Sequence, residues 1–305
     1  SFNCTKPFKM IKWGWLNRSL EVIFMENVII VTDSSSDLPE GIIKDYPIKV
    51  LPMPVSLKDD PTKDISNLSL KEFYDSIRRG EIVPTTSQVT VPVYMQCFKE
   101  YLSQGKTPLV LGLSSKLTSS YESALLAKEN LKADEIIIID TKCASLGLGL
   151  VVLKAAQMAK EGKTKEEILN MLDFYVEHIE HIFTVDDIEY LYRGGRVTRT
   201  QAFMGGLLNI KPILDIPRNG TLRPIEKVRG RKKVLARMIE LMEERAGHAD
   251  LKSQVIGINH GDDLDWAMKL KRMIEEKFGC TQFIINMVGC AIGAHSGPGT
   301  LSVFF

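Results

Sequence analysis

The stretch "NVIIVTDSSSD", Asn27 to Asp37, decides the fold. Val28 to Val31 form an unbroken apolar run that ends at Asp33 and a serine cluster. A strand covered on both faces reads as a continuous apolar run and opens into a polar loop at its carboxyl edge. "TPLVLGLSS" (107–115) and "EIIIIDT" (135–141) repeat that form, with helical patterns between them. The alternation predicts βαβ units and a mainly parallel sheet flanked by helices. Ligands of open α/β sheets sit beyond the carboxyl ends of the strands, so the loops at Asp33 to Ser36 and Ser114 to Ser119 share the productive edge.

Helix starts are also legible. Ser69 with Glu72, Ser119 with Glu122, and Thr164 with Glu167 have the capping-box spacing, in which a hydroxyl and a carboxylate satisfy the first free amides reciprocally. Beyond the third of these the pattern becomes mixed. "KPILDIPRNGTLRPIEKV" (211–228) predicts a hairpin with a type I′ turn at Asn219 and Gly220. A helix from about Lys232 to Ala246, a strand "QVIGINHG", a helix "DLDWAMKLKRMIEEKFG" and a strand "TQFIINMVG" follow. The expected organisation is an N-terminal α/β domain over 25–163 and a C-terminal α/β domain with a mixed sheet over 164–305, with the ligand in the cleft between them. Residues 1–24 precede Met25, which reads as the natural start, and form an N-terminal extension.

Composition narrows the function. With 39 basic and 38 acidic residues the formal charge is +1, so the chain lacks the positive field on which nucleic-acid binders rely. Five scattered cysteines without a C-x-x-C pair argue against a disulfide framework and a structural zinc site, and fit a reducing cytoplasm. The sequence has no run of about 18 apolar residues to span a bilayer, so no stable membrane insertion is expected. The spacing of Gly147 and Gly149 in "SLGLGLVV" lacks the third glycine of a dinucleotide loop and predicts close helix-on-strand packing instead. In "GAHSG", Ser296 stands one place too late for a nucleophile elbow. His178 and His181, three apart on a predicted helix with Glu177 and Glu180, read as a solvated face rather than a metal clamp. No cofactor or metal is expected.

Hydroxyl-rich loops remain. "PTTSQ" (84–88) precedes a helix with Pro92 in its first turn, and "SSKLTSSYESA" (114–124) runs into a helix start, where free N–H groups favour an anion. His295 lies among Gly293, Gly297 and Gly299, a frame that predicts a turn presenting the imidazole rather than burying it. Together these loops supply hydrogen-bond donors without a proton-abstracting pair or a phosphate-cradling lysine loop, which suits holding a carboxylate. Phe203, Met204, Leu207 and Leu208, around Gly205 and Gly206, are candidate lining for an apolar tunnel.

"VTDSSSDLP", "PTTSQ", "SSKLTSSYESA", "IIIIDTKCASLGLG", "YLYRGGRV", "LLNIKPIL" and "GAHSGPG" stand in the order seen in the DegV family, which the chain resembles over residues 27–305. The resemblance implies a bacterial cytoplasmic protein of two α/β domains that binds one long-chain fatty acid between them. It further implies a non-catalytic subunit that presents the carboxylate to a separate ATP-dependent fatty acid kinase, whose acyl phosphate feeds phospholipid synthesis. On that resemblance Thr86, Ser87, Thr118, Ser119, His295 and Ser296 surround the carboxylate, with His295 as a protonated or hydrogen-donating imidazole. Thr118 stands where the family has serine and Ser119 where it usually has glycine. Val89 replaces a common proline, which implies a less rigid loop. Arg193 and Arg196 are candidate exposed contacts for an acidic kinase surface. Two alternatives stay open: a small hydrolase or transferase using His295 with Ser296 or Thr118, and a lipid sensor without turnover.

Overall fold

The computed structural model describes residues 28–202 and 209–305. The stretch that opens the fold forms β1 (Val28–Asp33), buried along its whole length. It pairs in parallel with β2 (Ile48–Leu51). A short antiparallel pair follows, β3 (Val55–Leu57) with β4 (Pro84–Thr86). On the other side of β1 lie β5 (Thr107–Gly112) and then β6 (Ile137–Asp140), giving the all-parallel order β2-β1-β5-β6. The helices Val91–Ser103 and Ser120–Leu131 pack on each other beside this sheet, and Ser145–Lys160 packs on β1 and β5.

Ser145–Lys160 is the helix of the "SLGLGLVV" run, and its first two turns are buried throughout. The glycines serve close packing. A Cβ at Gly147 would lie 2.3 Å from His181 Nε2, and one at Gly149 would lie 2.6 Å from the Ser36 carbonyl oxygen. The helix Lys165–His178 packs on it and buries Ile168 and Leu172.

The second sheet is mixed. Its strands are β7 (His181–Thr184), β8 (Ile210–Asp215), β9 (Arg223–Arg229), β10 (Val255–His260), β11 (Gln282–Met287) and β12 (Leu301–Phe304), in the order β11-β10-β12-β7-β8-β9. β10 and β11 are parallel, and the other pairs are antiparallel. The C-terminal β12 thus lies inside the sheet, between β10 and β7. Helices Arg231–Ala246 and Leu264–Phe278 cover one face, enclosing Ile182, Ile213, Ile258, Leu301 and Val303. The architecture is two α/β units, one with a parallel sheet and one with a mixed sheet. Asp37 joins them: its carboxylate accepts hydrogen bonds from Ser145 Oγ (2.6 Å), Asn259 Nδ2 (3.2 Å) and the Gly289 amide (2.9 Å).

Four expectations need correction. The capping boxes at Ser69 and Thr164 form, but Ser119 makes no cap bond: its backbone, at φ −89° and ψ 16°, is outside the extended region that a capping residue takes. The hairpin of β8 and β9 forms without a two-residue turn. Its loop spans 216–222, where Gly220 takes φ +78° and its amide donates to the Pro217 carbonyl at 2.8 Å. His178 and His181 do not share a helix, since the helix ends at His178 and His181 is buried in β7. Val89 does not loosen its loop: it is fully buried, and its amide donates to Ser120 Oγ at 3.1 Å.

Candidate ligand-binding site

Thr86 ends β4, and His295 lies in the last turn of the short helix Cys290–Ser296. Tertiary packing brings Thr86 Oγ1 to 2.7 Å from His295 Nε2. His295 is half-buried, contrary to the turn its glycine neighbours suggested. Gly297 and Gly299 do form a turn, each at φ +73°, but it leads directly into β12 and packs tightly on the chain itself. A Cβ at Gly297 would lie 2.4 Å from Tyr190, and one at Gly299 would lie 2.1 Å from Asp186. The imidazole rests over Gly194, where a Cβ would come within 2.1 Å of Nδ1.

Burial, and secondarily the charge of Arg196, push the His295 pKa down to about 3. Burial thus favours the neutral ring, the hydrogen-donating option, over the protonated one. Its Nδ1 is buried without a hydrogen-bond partner among the described residues, as is Ser296 Oγ. Arg196 does not project into solvent. It is half-buried and donates to the carbonyls of Gly194 and Leu117, the latter at 2.8 Å. Burial lowers its pKa, and no carboxylate is bonded to it among the described residues. Arg193 is exposed and pairs with Glu189 at 3.0 Å.

These groups, Arg193 excepted, meet at a cavity of about 80 Å³. Thr86, Thr118, Arg196, His295 and Ser296 supply polar groups, whereas Met53, Leu113, Phe183, Ile216, Val288 and Phe304 supply apolar walls. Both sheets contribute. Thr118 Oγ1 lies 3.0 Å from Ser120 Oγ, so a buried serine that the sequence reading passed over holds its hydroxyl in place. Ser87 and Ser119 are exposed and line an adjoining polar groove outside the cavity. Phe203, Met204, Leu207 and Leu208 lie outside the described residues. Among the walls that sequence reasoning missed are Phe183 of β7 and Phe304 of β12. The alternation in "LSVF" was the available signal, because it places Ser302 and Phe304 on one face and Leu301 and Val303 on the other.

The model of the DegV family, described as "Uncharacterised protein, DegV family", matches residues 27–305. The chain belongs to the DegV family. A DegV domain-containing protein of Caldanaerobacter subterraneus is 38% identical over 281 residues, covering 92% of this chain and 99% of that one. Two solved DegV structures superpose closely. One, described as the fatty acid binding of a DegV family protein from Thermus thermophilus, has a TM-score of 0.83 at 30% identity, covering 91% of this chain and 98% of the other. The second, DegV of Bacillus subtilis, described as a fatty acid binding protein, has a TM-score of 0.79 at 30% identity over the same shares. DegV proteins of known structure thus bind fatty acids and have the two α/β units seen here. Among the described residues of this DegV chain, no helix is long and apolar enough to cross a membrane, and no cluster of His, Cys, Asp or Glu is arranged to hold a metal.

Proposed function

We propose that this protein binds one long-chain fatty acid, with its carboxylate among Thr86, Thr118, His295 and Arg196 and its tail in the apolar cavity. The observation that carries the reading is the Thr86–His295 pair at the polar end of that cavity. A hydrocarbon tail gains about 0.8 kcal/mol per buried methylene, so only an enclosed apolar cavity collects enough to outweigh the loss of motion on binding. A buried carboxylate needs a compensating charge and hydrogen-bond donors. Arg196 has no carboxylate partner among the described residues, and Thr118 and the hydrogen-bonded Thr86–His295 pair offer donors. Arg196 is therefore assigned to the head group rather than to a partner's surface.

The same features speak against an enzyme that acts alone. Activation of a hydroxyl nucleophile calls for a base that is itself oriented by a third group. Thr86 and His295 make the first contact, but Nδ1 has no carboxylate or other partner among the described residues. Ser296 Oγ has no hydrogen-bond partner among the described residues, and Thr118 is engaged by Ser120. We assign the protein the role of a cytoplasmic, non-catalytic subunit that presents the carboxylate to a separate ATP-dependent kinase, with acyl phosphate as the product for phospholipid synthesis. Arg193, exposed beside the site, is the candidate kinase contact. The test is to combine the loaded protein with ATP, with and without a fatty acid kinase subunit. Acyl phosphate formed only with both proteins supports the reading, and turnover by this protein alone contradicts it.

A further inference from the structure

The cavity has a far end, and its construction is specific. Thr300 Oγ1 donates to the carbonyls of Ser296 (3.0 Å) and Gly297 (2.8 Å), tying the entry of β12 to the polar end of the site. From there the cavity follows the strand. Ser302 and Phe304 of β12 and Phe183 and His181 of the neighbouring β7 line it, while Leu301, Val303 and Ile182 point into the opposite core. At about 3.3 Å per residue, Thr300 to Phe304 spans roughly 13 Å.

At the end of that run His181 and Phe304 stand directly opposite each other in the antiparallel register. Their rings meet edge to face, with centroids 5.3 Å apart and planes at 89°. Each residue is 2% exposed. Both press on the first turn of the helix Ser145–Lys160: a Cβ at Gly147 would lie 2.3 Å from His181 Nε2 and 2.9 Å from Phe304 Cδ1. His181 Nε2 also accepts the Ala144 amide at 3.4 Å.

We propose that the His181–Phe304 ring pair, backed by Gly147, is the end wall of the cavity and sets the longest acyl chain the protein accepts. The inference rests on the fatty-acid reading above. The wall is stiff because strand register fixes both side chains and backbone, not a flexible neighbour, stands behind them. A chain that overruns it has to displace a packed ring. Discrimination by a close-fitting apolar pocket amounts to about tenfold or more per methylene. Burial pushes the His181 pKa down to about 4, so the wall presents no positive charge to a second carboxylate. It suits a terminal methyl group and rejects an α,ω-dicarboxylic acid.

The experiment is displacement of a fluorescent fatty acid by saturated monocarboxylic acids of graded length, from the wild type, Phe304→Ala and Phe304→Leu. The wild type is expected to bind more tightly with each added carbon up to a maximum and to lose about tenfold or more beyond it. Phe304→Ala should move that maximum to longer chains, and Phe304→Leu should move it less in the same direction. Should Phe304→Ala fail to fold, Phe304→Leu carries the comparison. An unchanged maximum in a folded variant overturns the end wall while leaving the fatty-acid reading intact. A wild type that binds no member of the series overturns the fatty-acid reading, and the wall with it.

Discussion

Thr86 and His295 are 209 positions apart in the chain and 2.7 Å apart in the fold. The contact joins the end of β4 to the short helix that precedes β12 of the other sheet. Whatever enters the cavity from this side meets a hydroxyl and a neutral imidazole together. Thr86→Val keeps the shape and removes the hydroxyl. Losing a hydrogen bond to a charged head group costs about 1.5–3 kcal/mol, so retention of a fatty acid should weaken roughly ten- to a hundredfold. Affinity within twofold of wild type in a displacement assay would place the carboxylate elsewhere.

His295→Ala should separate two roles. Acyl-phosphate formation with a kinase subunit is expected to fall further than fatty-acid retention, and equal losses would make His295 a binding residue only. The imidazole's protonation state is open to direct measurement. With its pKa pushed to about 3, mainly by burial, it should show no titration near the ordinary 6.5 in proton NMR.

Arg193 and Arg196 are close in sequence and different in setting. Arg196→Gln should weaken fatty-acid retention, because it removes the half-buried positive charge beside the head group. Arg193→Gln should leave retention unchanged and lower only the coupling to a kinase. Identical effects of the two substitutions on retention would contradict the assignment.

Asp37 gives the fold a pH dependence. Burial, outweighing its hydrogen bonds, raises its pKa from 3.8 to about 7. Between those values the folded chain holds a proton that the unfolded chain has lost. Its contribution to stability is therefore full below about pH 4 and is lost as the pH rises through 7, by up to about 1.4 kcal/mol per pH unit. Thermal unfolding of the wild type and Asp37→Asn from pH 5 to 8 should show wild-type stability declining relative to the variant as pH rises. Parallel curves would mean that Asp37 is ionised throughout.

Gly194 lies beneath the imidazole, and Gly194→Ala would bring a methyl group within 2.1 Å of Nδ1. The ring has to turn away from Thr86, so the variant should lose retention about as Thr86→Val does while its melting temperature changes little. Unaltered binding would show that the Thr86–His295 contact is dispensable.

Much of the architecture could be read locally. The apolar run before Asp33 identified a strand covered on both faces, and the boxes at Ser69 and Thr164 are contacts within four residues. Where a local rule had a competitor, it failed. Ser119 has the right spacing, but its backbone does not take the extended conformation that the cap requires. The settings of His295 and Arg196 were illegible for a different reason. Their burial comes from Gly194, Leu117 and Thr86, which lie on separate segments, and one-dimensional spacing says nothing of who covers whom. The place of β12 inside a mixed sheet was hidden too, since four alternating residues at a chain end carry no statement of their neighbours. The hydroxyls at Thr86 and Thr118 were legible as donors. The charge that complements a carboxylate was assigned to the surface until the fold turned Arg196 inward.

The most direct measurement is native mass spectrometry of the freshly purified protein, followed by denaturation and identification of whatever is released. The account predicts one bound fatty acid per chain, retained by the wild type and lost from a Thr86→Ala, His295→Ala double variant that still melts cooperatively. A protein that arrives empty and stays empty when offered saturated and unsaturated fatty acids would contradict it.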